Sequence, residues 1–286
     1  MILEETSVAI VGLGLMGGSL GMALRSARTC GEVVGVARRA ETAALAVELG
    51  AVDRATTELT AVAEADIVIL ATPVRTIVEL LPRVGRLARA GSLVMDLGST
   101  KAPIVRAMTS LPEYLQPIGG HPMCGKETSG LEAAEPGLYQ DRVFVLTPLA
   151  RTDDWAMALA RELVKAIGAR PLALGPHRHD RLVAATSHLS YLMACGLVLA
   201  ADQLAQADQS LWTLAASGFR DTSRLAASDV TVMSDILLTN QEPVIEALQA
   251  CTSQLRRLAA LVEAGDEEGL RDALTAGRER RRSVFP

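Results

Sequence analysis

Residues Ser7 to Val11 form a short β-branched apolar run, and positions 12 to 17 then read Gly12-Leu13-Gly14-Leu15-Met16-Gly17. This G-x-G-x-x-G spacing lies between a strand pattern and a helical one running from Gly17 to about Ser26, which leaves few folds open. A buried parallel strand must turn sharply into a helix whose N-terminus faces outward. Gly12 permits the tight turn, Gly14 lets the backbone approach a pyrophosphate, and Gly17 lets helix and strand pack closely. The first N–H groups of the helix, at Leu15 and Met16, then face the phosphate charge. The alternative is an ordinary glycine-rich turn, but a second strand pattern at Glu32–Val36 follows at the interval that dinucleotide binding requires.

An Asp or Glu about 20 positions after the glycines would accept hydrogen bonds from the adenosine ribose and repel a 2′-phosphate. Here Ala37 stands at that point, followed by Arg38 and Arg39. Guanidinium groups grip a phosphate through paired charged hydrogen bonds, so the expected cofactor is NADP, with NAD as the alternative. Solvated loop arginines are the competing reading. Further strand patterns at 66–71, 92–96, 115–118, 142–146 and 171–174 alternate with helical intervals such as 41–49, 76–87 and a helix ending at Ile167. Such alternation predicts an α/β fold with a doubly wound, mostly parallel Rossmann-type sheet.

Beyond Gly175-Pro176 no strand pattern is convincing, and an all-helical second domain is expected. The division is residues 1–175 for dinucleotide binding and 176–286 for substrate binding and dimerisation. Val244, Leu248, Leu255, Leu258 and Val262 fall on one helical face. With aromatic residues at only 3%, these helices must pack through Ala, Leu, Val and Met, which favours close association between subunits. A homodimer through the helical domain is therefore expected.

Other classes of protein fit poorly. Hydrophobic residues at 49% and charged residues at 21% disfavour disorder, collagen-like structure and coiled-coil rods. A net charge of -5 supplies no global attraction for nucleic acid or an anionic membrane. Thr6 to Leu24 carries no charge, yet Glu4 and Glu5 precede it and five glycines interrupt it, so it reads as strand, turn and helix rather than a membrane span. Cys30, Cys124, Cys195 and Cys251 form no C-x-x-C pair, which points to a reducing cytoplasm and away from a zinc ribbon. His177 and His179 beside Asp180 have no third ligand nearby in sequence, so no metal is expected, and His179-Asp180 reads as the start of the helix leading to His188.

In open α/β sheets, ligands bind outside the carboxyl ends of the strands. Ala71-Thr72-Pro73, Gly98-Ser99-Thr100-Lys101 and Gly119-Gly120-His121-Pro122 should gather there, with Thr72 and Pro73 on the cofactor side. The imidazole of His121 can take a proton from a substrate hydroxyl near neutral pH, and the two glycines before it would leave room for ligand. A structural histidine in a turn is the alternative. Ser217-Gly218-Phe219-Arg220-Asp221-Thr222-Ser223-Arg224 could bind a carboxylate, or could be a capped helix junction with surface charges.

These segments occur in a familiar order. Gly12–Gly17, Asp96-Leu97-Gly98-Ser99-Thr100-Lys101, Gly120-His121-Pro122-Met123-Cys124-Gly125, Ser187-His188-Leu189 and Gly218–Arg224 together resemble the prephenate and arogenate dehydrogenases of tyrosine biosynthesis. The likeness spans essentially the whole chain. It implies NAD(P)-dependent oxidative decarboxylation of a cyclohexadiene that carries a ring hydroxyl, a ring carboxylate and a side-chain carboxylate. By this resemblance His121 is the base on the ring hydroxyl, and Ser99 orients the imidazole and touches hydroxyl and nicotinamide. Arg224 pairs with a substrate carboxylate, and His188 helps place the ring or its carboxylate. Glu127 gates or tunes the pocket, and Asp221 holds Arg224 or Arg220.

The arginines after the second strand resemble those of NADP-using arogenate enzymes. Ser228-Asp229-Val230-Thr231-Val232-Met233 departs from the commoner Ser-Asp-Pro-x-Met-Trp form, which alters the expected pocket wall. The competing readings are a 3-hydroxyacid dehydrogenase, which would need a catalytic lysine that is missing after Lys165, and a catalytically silent NADP-binding regulator.

Overall fold

The computed structural model describes residues 2–285. The strands are β1 (Ser7–Val11), β2 (Glu32–Val36), β3 (Arg54–Thr56), β4 (Ile67–Leu70), β5 (Leu93–Asp96), β6 (Gln116–Pro122), β7 (Val143–Pro148) and β8 (Arg170–Ala173). Among and after them come helices α1 (Leu15–Ala27), α2 (Ala40–Glu48), α3 (Val74–Leu87), α4 (Ala102–Met108) and α5 (Asp154–Ala166). The rest is helical: α6 (Pro176–Val183), a π-helical turn at Ala184–His188, α7 (Leu189–Ala205), α8 (Ser210–Thr213), α9 (Ser217–Ser223), α10 (Val230–Thr239), α11 (Gln241–Ala264) and α12 (Glu267–Val284). The eight strands form one sheet in the order β3-β2-β1-β4-β5-β6-β7-β8. All neighbours are parallel except β6 and β7. The expected doubly wound sheet followed by helices is what the chain forms.

Strand periodicity sorts the core into two layers. Val8 and Ile10 of β1 join Leu20 and Leu24 of α1 on one face. Ala9 and Val11 join Ile77 and Leu81 of α3 on the other. Residues of β4 and β5 are likewise fully buried, which explains their unbroken apolar sequence. β3 has no such signature, because its three residues pair with the sheet edge and remain partly exposed. Contacts group residues 1–240 into one compact unit and 241–286 into another, so the sequence division at 175/176, which separates sheet from helices, lies inside the first unit.

A buried ion pair locks the part of the sheet that carries His121. Asp96, the last residue of β5, pairs with the Lys101 ammonium, and both side chains are wholly buried. The Asp96 carboxylate also accepts hydrogen bonds from Gly98 N at 2.7 Å and Gly120 N at 3.1 Å. Lys101 Nζ donates to Gly120 O at 2.6 Å. Burial pushes the carboxyl up and the ammonium down, and each is pulled back by its partner. A Cβ on Gly120 would lie 2.4 Å from the Asp96 carbonyl oxygen, and one on Gly119 would lie 2.0 Å from Thr147 Oγ1. The two glycines therefore admit neighbouring protein atoms, and the space expected there for ligand is already filled.

Removing one partner strands a buried charge. Asp96→Ala should cost about 3–5 kcal/mol in urea unfolding, and the double change Asp96→Ala with Lys101→Met should recover part of the loss. Parental stability in the single variant would mean that the pair does not hold β5 to β6.

Candidate active site

The glycine turn, the segment after β4, the segment after β5 and the end of β6 all lie at the carboxyl edge of the parallel strands. In the turn, Gly12 has φ +103° and its Cβ would collide with the Ala71 carbonyl at 2.7 Å, while a Cβ on Gly17 would sit 1.9 Å from Gly12 O. Beside Gly14 there is open space. Gly14 also caps α1 without any side-chain hydrogen bond, leaving the helix's first N–H groups uncapped. These features fit a phosphate-bearing cofactor. Thr72 lies against the turn with its Oγ1 buried and unpartnered, and Pro73 caps α3. Arg38 and Arg39 are exposed at the end of β2, and neither forms an ion pair among the described residues.

His121 occupies the next-to-last position of β6, opposite Val145, and is half-buried. Its Nδ1 lies 2.8 Å from His179 Nε2. His179 Nδ1 in turn lies 2.7 Å from Asp180 Oδ1. Asp180 reaches across to α4, accepting from Lys101 N at 2.7 Å and Ala102 N at 2.8 Å. Sequence reasoning missed this chain of contacts. His179-Asp180 does not start a helix: Gly175 and Pro176 start α6 three residues earlier, as a proline at a first helical position can. The adjacent His-Asp pair was the available signal, but only the fold shows that it faces His121.

His188 closes the cluster. On an α-helix, residues nine apart differ by about 180°, so His179 and His188 would face opposite ways. The π-helical turn Ala184–His188 absorbs one residue and reduces the difference to about 80°. His188 Nδ1 then lies 3.2 Å from Asn240 Nδ2, which also donates to the Asp180 carbonyl at 2.8 Å. His188 is 1% exposed, so in this structure it is not open to a ligand as the sequence suggested.

Among the described residues, the remaining expected residues form no hydrogen bond or ion pair with these histidines. Arg224 forms an ion pair with Glu127, and Asp221 pairs with Arg220 at 3.5 Å on the surface. Ser99 is half-buried but makes no hydrogen bond to His121, whose orienting partner is His179. Burial holds His121 well below the ordinary imidazole value of 6.5, reinforced by the neighbouring His179, Lys101 and His188. Burial also pushes His188 down to about 4. Cys124 is no nucleophile, because burial raises its thiol to about 11. Among the described residues no group of His, Cys, Asp and Glu could hold a metal ion.

A phosphate-ready glycine turn and a neutral imidazole on one sheet edge define the class: a dinucleotide-binding α/β protein with a histidine beside the cofactor edge of its sheet. Residues 20–172 match the family model described as "Prephenate dehydrogenase, nucleotide-binding domain", and residues 175–276 match "Prephenate dehydrogenase, dimerization domain". The chain is 33% identical over 272 residues to the prephenate dehydrogenase of Bacillus subtilis, covering 93% of this chain and 72% of that protein. It superposes with a TM-score of 0.91 and 30% identity on the Aquifex aeolicus prephenate dehydrogenase in complex with hydroxyphenyl propionate and NAD+, covering 98% of both chains. Against the Synechocystis arogenate dehydrogenase the TM-score is 0.83 at 30% identity, covering 98% of this chain and all of that one. The chain belongs to the prephenate dehydrogenase family, and the 3-hydroxyacid dehydrogenase reading is not favoured.

The depressed histidines have a consequence for stability. Above pH 6.5 His121 and His188 are neutral in both folded and unfolded chains; below it the unfolded chain binds protons that the folded one refuses. Tm should therefore fall between pH 7 and pH 5, and His188→Leu should flatten part of that fall. An identical slope in the variant would contradict the assignment.

Proposed function

We propose that this protein catalyses the NAD(P)-dependent oxidative decarboxylation of prephenate or arogenate, with NADP preferred. The observation that carries this reading is the neutral, half-buried His121 imidazole at the sheet edge that also bears the glycine turn. A nicotinamide cofactor held at the Gly12–Gly17 turn would supply a hydride acceptor for the carbinol carbon, with the ring carboxylate lost as CO2 and the ring left aromatic. The protein's part is to orient the ring, receive the hydroxyl proton and neutralise carboxylates.

His121 Nε2, which no group among the described residues hydrogen-bonds, is the atom that takes the hydroxyl proton. Ser99 offers its hydroxyl to the same substrate oxygen. Arg224 receives a carboxylate in place of Glu127, so that its present ion pair is exchanged for a substrate contact. His188, backed by Asn240, shapes the floor beneath the ring. Gly12, Gly14, Leu15, Met16 and Gly17 hold the pyrophosphate, Thr72 and Pro73 border the cofactor, and Arg38 and Arg39 take the 2′-phosphate.

We further propose a homodimer through the helical segment beyond residue 175, in the cytoplasm. The stretch Pro176–Ala205 is long and apolar enough to cross a membrane by length and composition, with an 18-residue window of mean hydropathy 1.7. It begins with charged residues and carries His179, Asp180 and His188 in a polar cluster, which suits a partner subunit better than lipid. Leu199 at 69%, Leu204 at 68% and Leu214 at 81% exposure are the side chains a second copy would cover. The thiols of Cys30, Cys124 and Cys195, which form no disulfide, accord with a reducing compartment.

Absorbance at 340 nm should rise with either substrate plus NADP, and cofactor binding without turnover on both would support a silent binder instead. His121→Asn should lower kcat by about 10²–10⁴, and full activity would refute its role. Arg224→Ala should raise KM more than it lowers kcat. Replacing Arg38 and Arg39 by alanine should weaken NADP binding about tenfold or more while sparing NAD; equal losses for both cofactors would remove the proposed 2′-phosphate contact.

A further inference from the structure

We propose that His179, held by Asp180, is a positioning residue that fixes the proton of His121 on Nδ1 and so keeps Nε2 bare toward the substrate. The value of a bare Nε2 rests on the dehydrogenase reading, whereas the polarity of the chain rests on the hydrogen bonds together with a single proton on His179.

The order of donors and acceptors starts at Asp180. Both of its carboxylate oxygens accept from backbone N–H groups, Oδ1 from Lys101 at 2.7 Å and Oδ2 from Ala102 at 2.8 Å. A backbone N–H can only donate, so this carboxylate is used as an acceptor throughout. The His179 Nδ1 at 2.7 Å from Oδ1 must therefore carry a hydrogen. With that single proton on the ring, His179 Nε2 carries a lone pair, and that atom faces His121 Nδ1 at 2.8 Å. His121 must then donate from Nδ1, which leaves its own Nε2 unprotonated. This is the opposite of the tautomer a free histidine side chain favours.

The surroundings preserve that order. His179 and Asp180 are 1% and 2% exposed, so water cannot compete for the two bonds. The rings of His121 and His179 meet edge to face, with centroids 5.0 Å apart and planes at 73°, which leaves one hydrogen-bonding line between them. When Nε2 takes the substrate proton, the His121 Nδ1–H still points at the His179 lone pair, with the Asp180 carboxylate behind it. The charge formed on the base is stabilised without any rearrangement. A purely structural His-Asp pair would tie α6 to α4 equally well but would not care which nitrogen of His121 is protonated.

The test reads the tautomer directly. The full chain has four histidines, so long-range 1H–15N spectra of 15N-histidine-labelled protein at pH 7.5 can be assigned by single substitutions. His121 and His179 should each show a protonated Nδ1 and a bare Nε2. In His179→Leu the His121 signal should lose that preference, and kcat should fall by about 100-fold or more with KM within about threefold. In His179→Gln the amide oxygen can accept from His121 while the NH2 donates to Asp180, so kcat should return to within about tenfold of the parent. A parent His121 protonated on Nε2, parental kcat in His179→Leu, or a folded His179→Gln as slow as the leucine variant would each overturn the proposal. Absence of turnover by the parent on prephenate and arogenate would defeat the functional reading, yet the spectra would still decide the polarity of the chain.

Discussion

The site depends on one carboxylate accepting three hydrogen bonds. Asp180 lies on a helix that follows the sheet, yet its oxygens are taken by the first backbone N–H groups of α4, which belongs to the sheet's own crossovers. Bonds from backbone N–H groups at a helix start favour a negative side chain there. That single attachment draws His179 to the end of β6, and the same helix, through its π-helical turn, brings His188 alongside, where Asn240 at the end of α10 meets it. On the opposite side of the same backbone, the buried Asp96–Lys101 pair holds the Gly98-to-Lys101 segment against Gly120. The imidazole of His121 is thus fixed from both directions by groups that never need to touch a substrate.

Much of the architecture could be read directly from residue patterns. Unbroken apolar runs such as Ile67–Leu70 report strands buried on both faces, and the glycine spacing after β1 reports a turn that only glycine can make at Gly12. The short β3 gave no signal, because three partly exposed residues on a sheet edge owe their conformation to pairing with β2 rather than to their own side chains. The chemistry of the site was legible to a lesser degree. His121 stood out through its position after a strand, but His179 is ordinary in sequence, since what gives it a role is a contact across 58 positions. Gly119 and Gly120 were informative for a different reason from the one the sequence suggested. Their missing side chains make room for Asp96 and Thr147, and the resulting close packing brings Gly120 of β6 near enough to bond both members of one ion pair.

The same physical account explains why an oxidative decarboxylase can run on so little machinery. Aromatisation supplies the driving force, so the protein needs a well-oriented base and a site for carboxylates more than it needs an acid or a metal ion. A depressed imidazole suits that role, because it remains unprotonated and ready through the whole neutral range. Burial beside Lys101 and two further histidines accomplishes this, and the fold accepts a stability penalty in acid as the cost.

The π-helical turn also bears on how such a chain can diverge. It amounts to one surplus residue in an otherwise regular helix. If the same residues closed up as ordinary α-helix with none removed, everything beyond would swing by about a quarter turn, carrying His188 off the cluster while His179 stayed behind. A few substitutions that favour the regular turn over the wide one, with the sheet untouched, would thus be a short evolutionary route between a gripping and a slack substrate pocket.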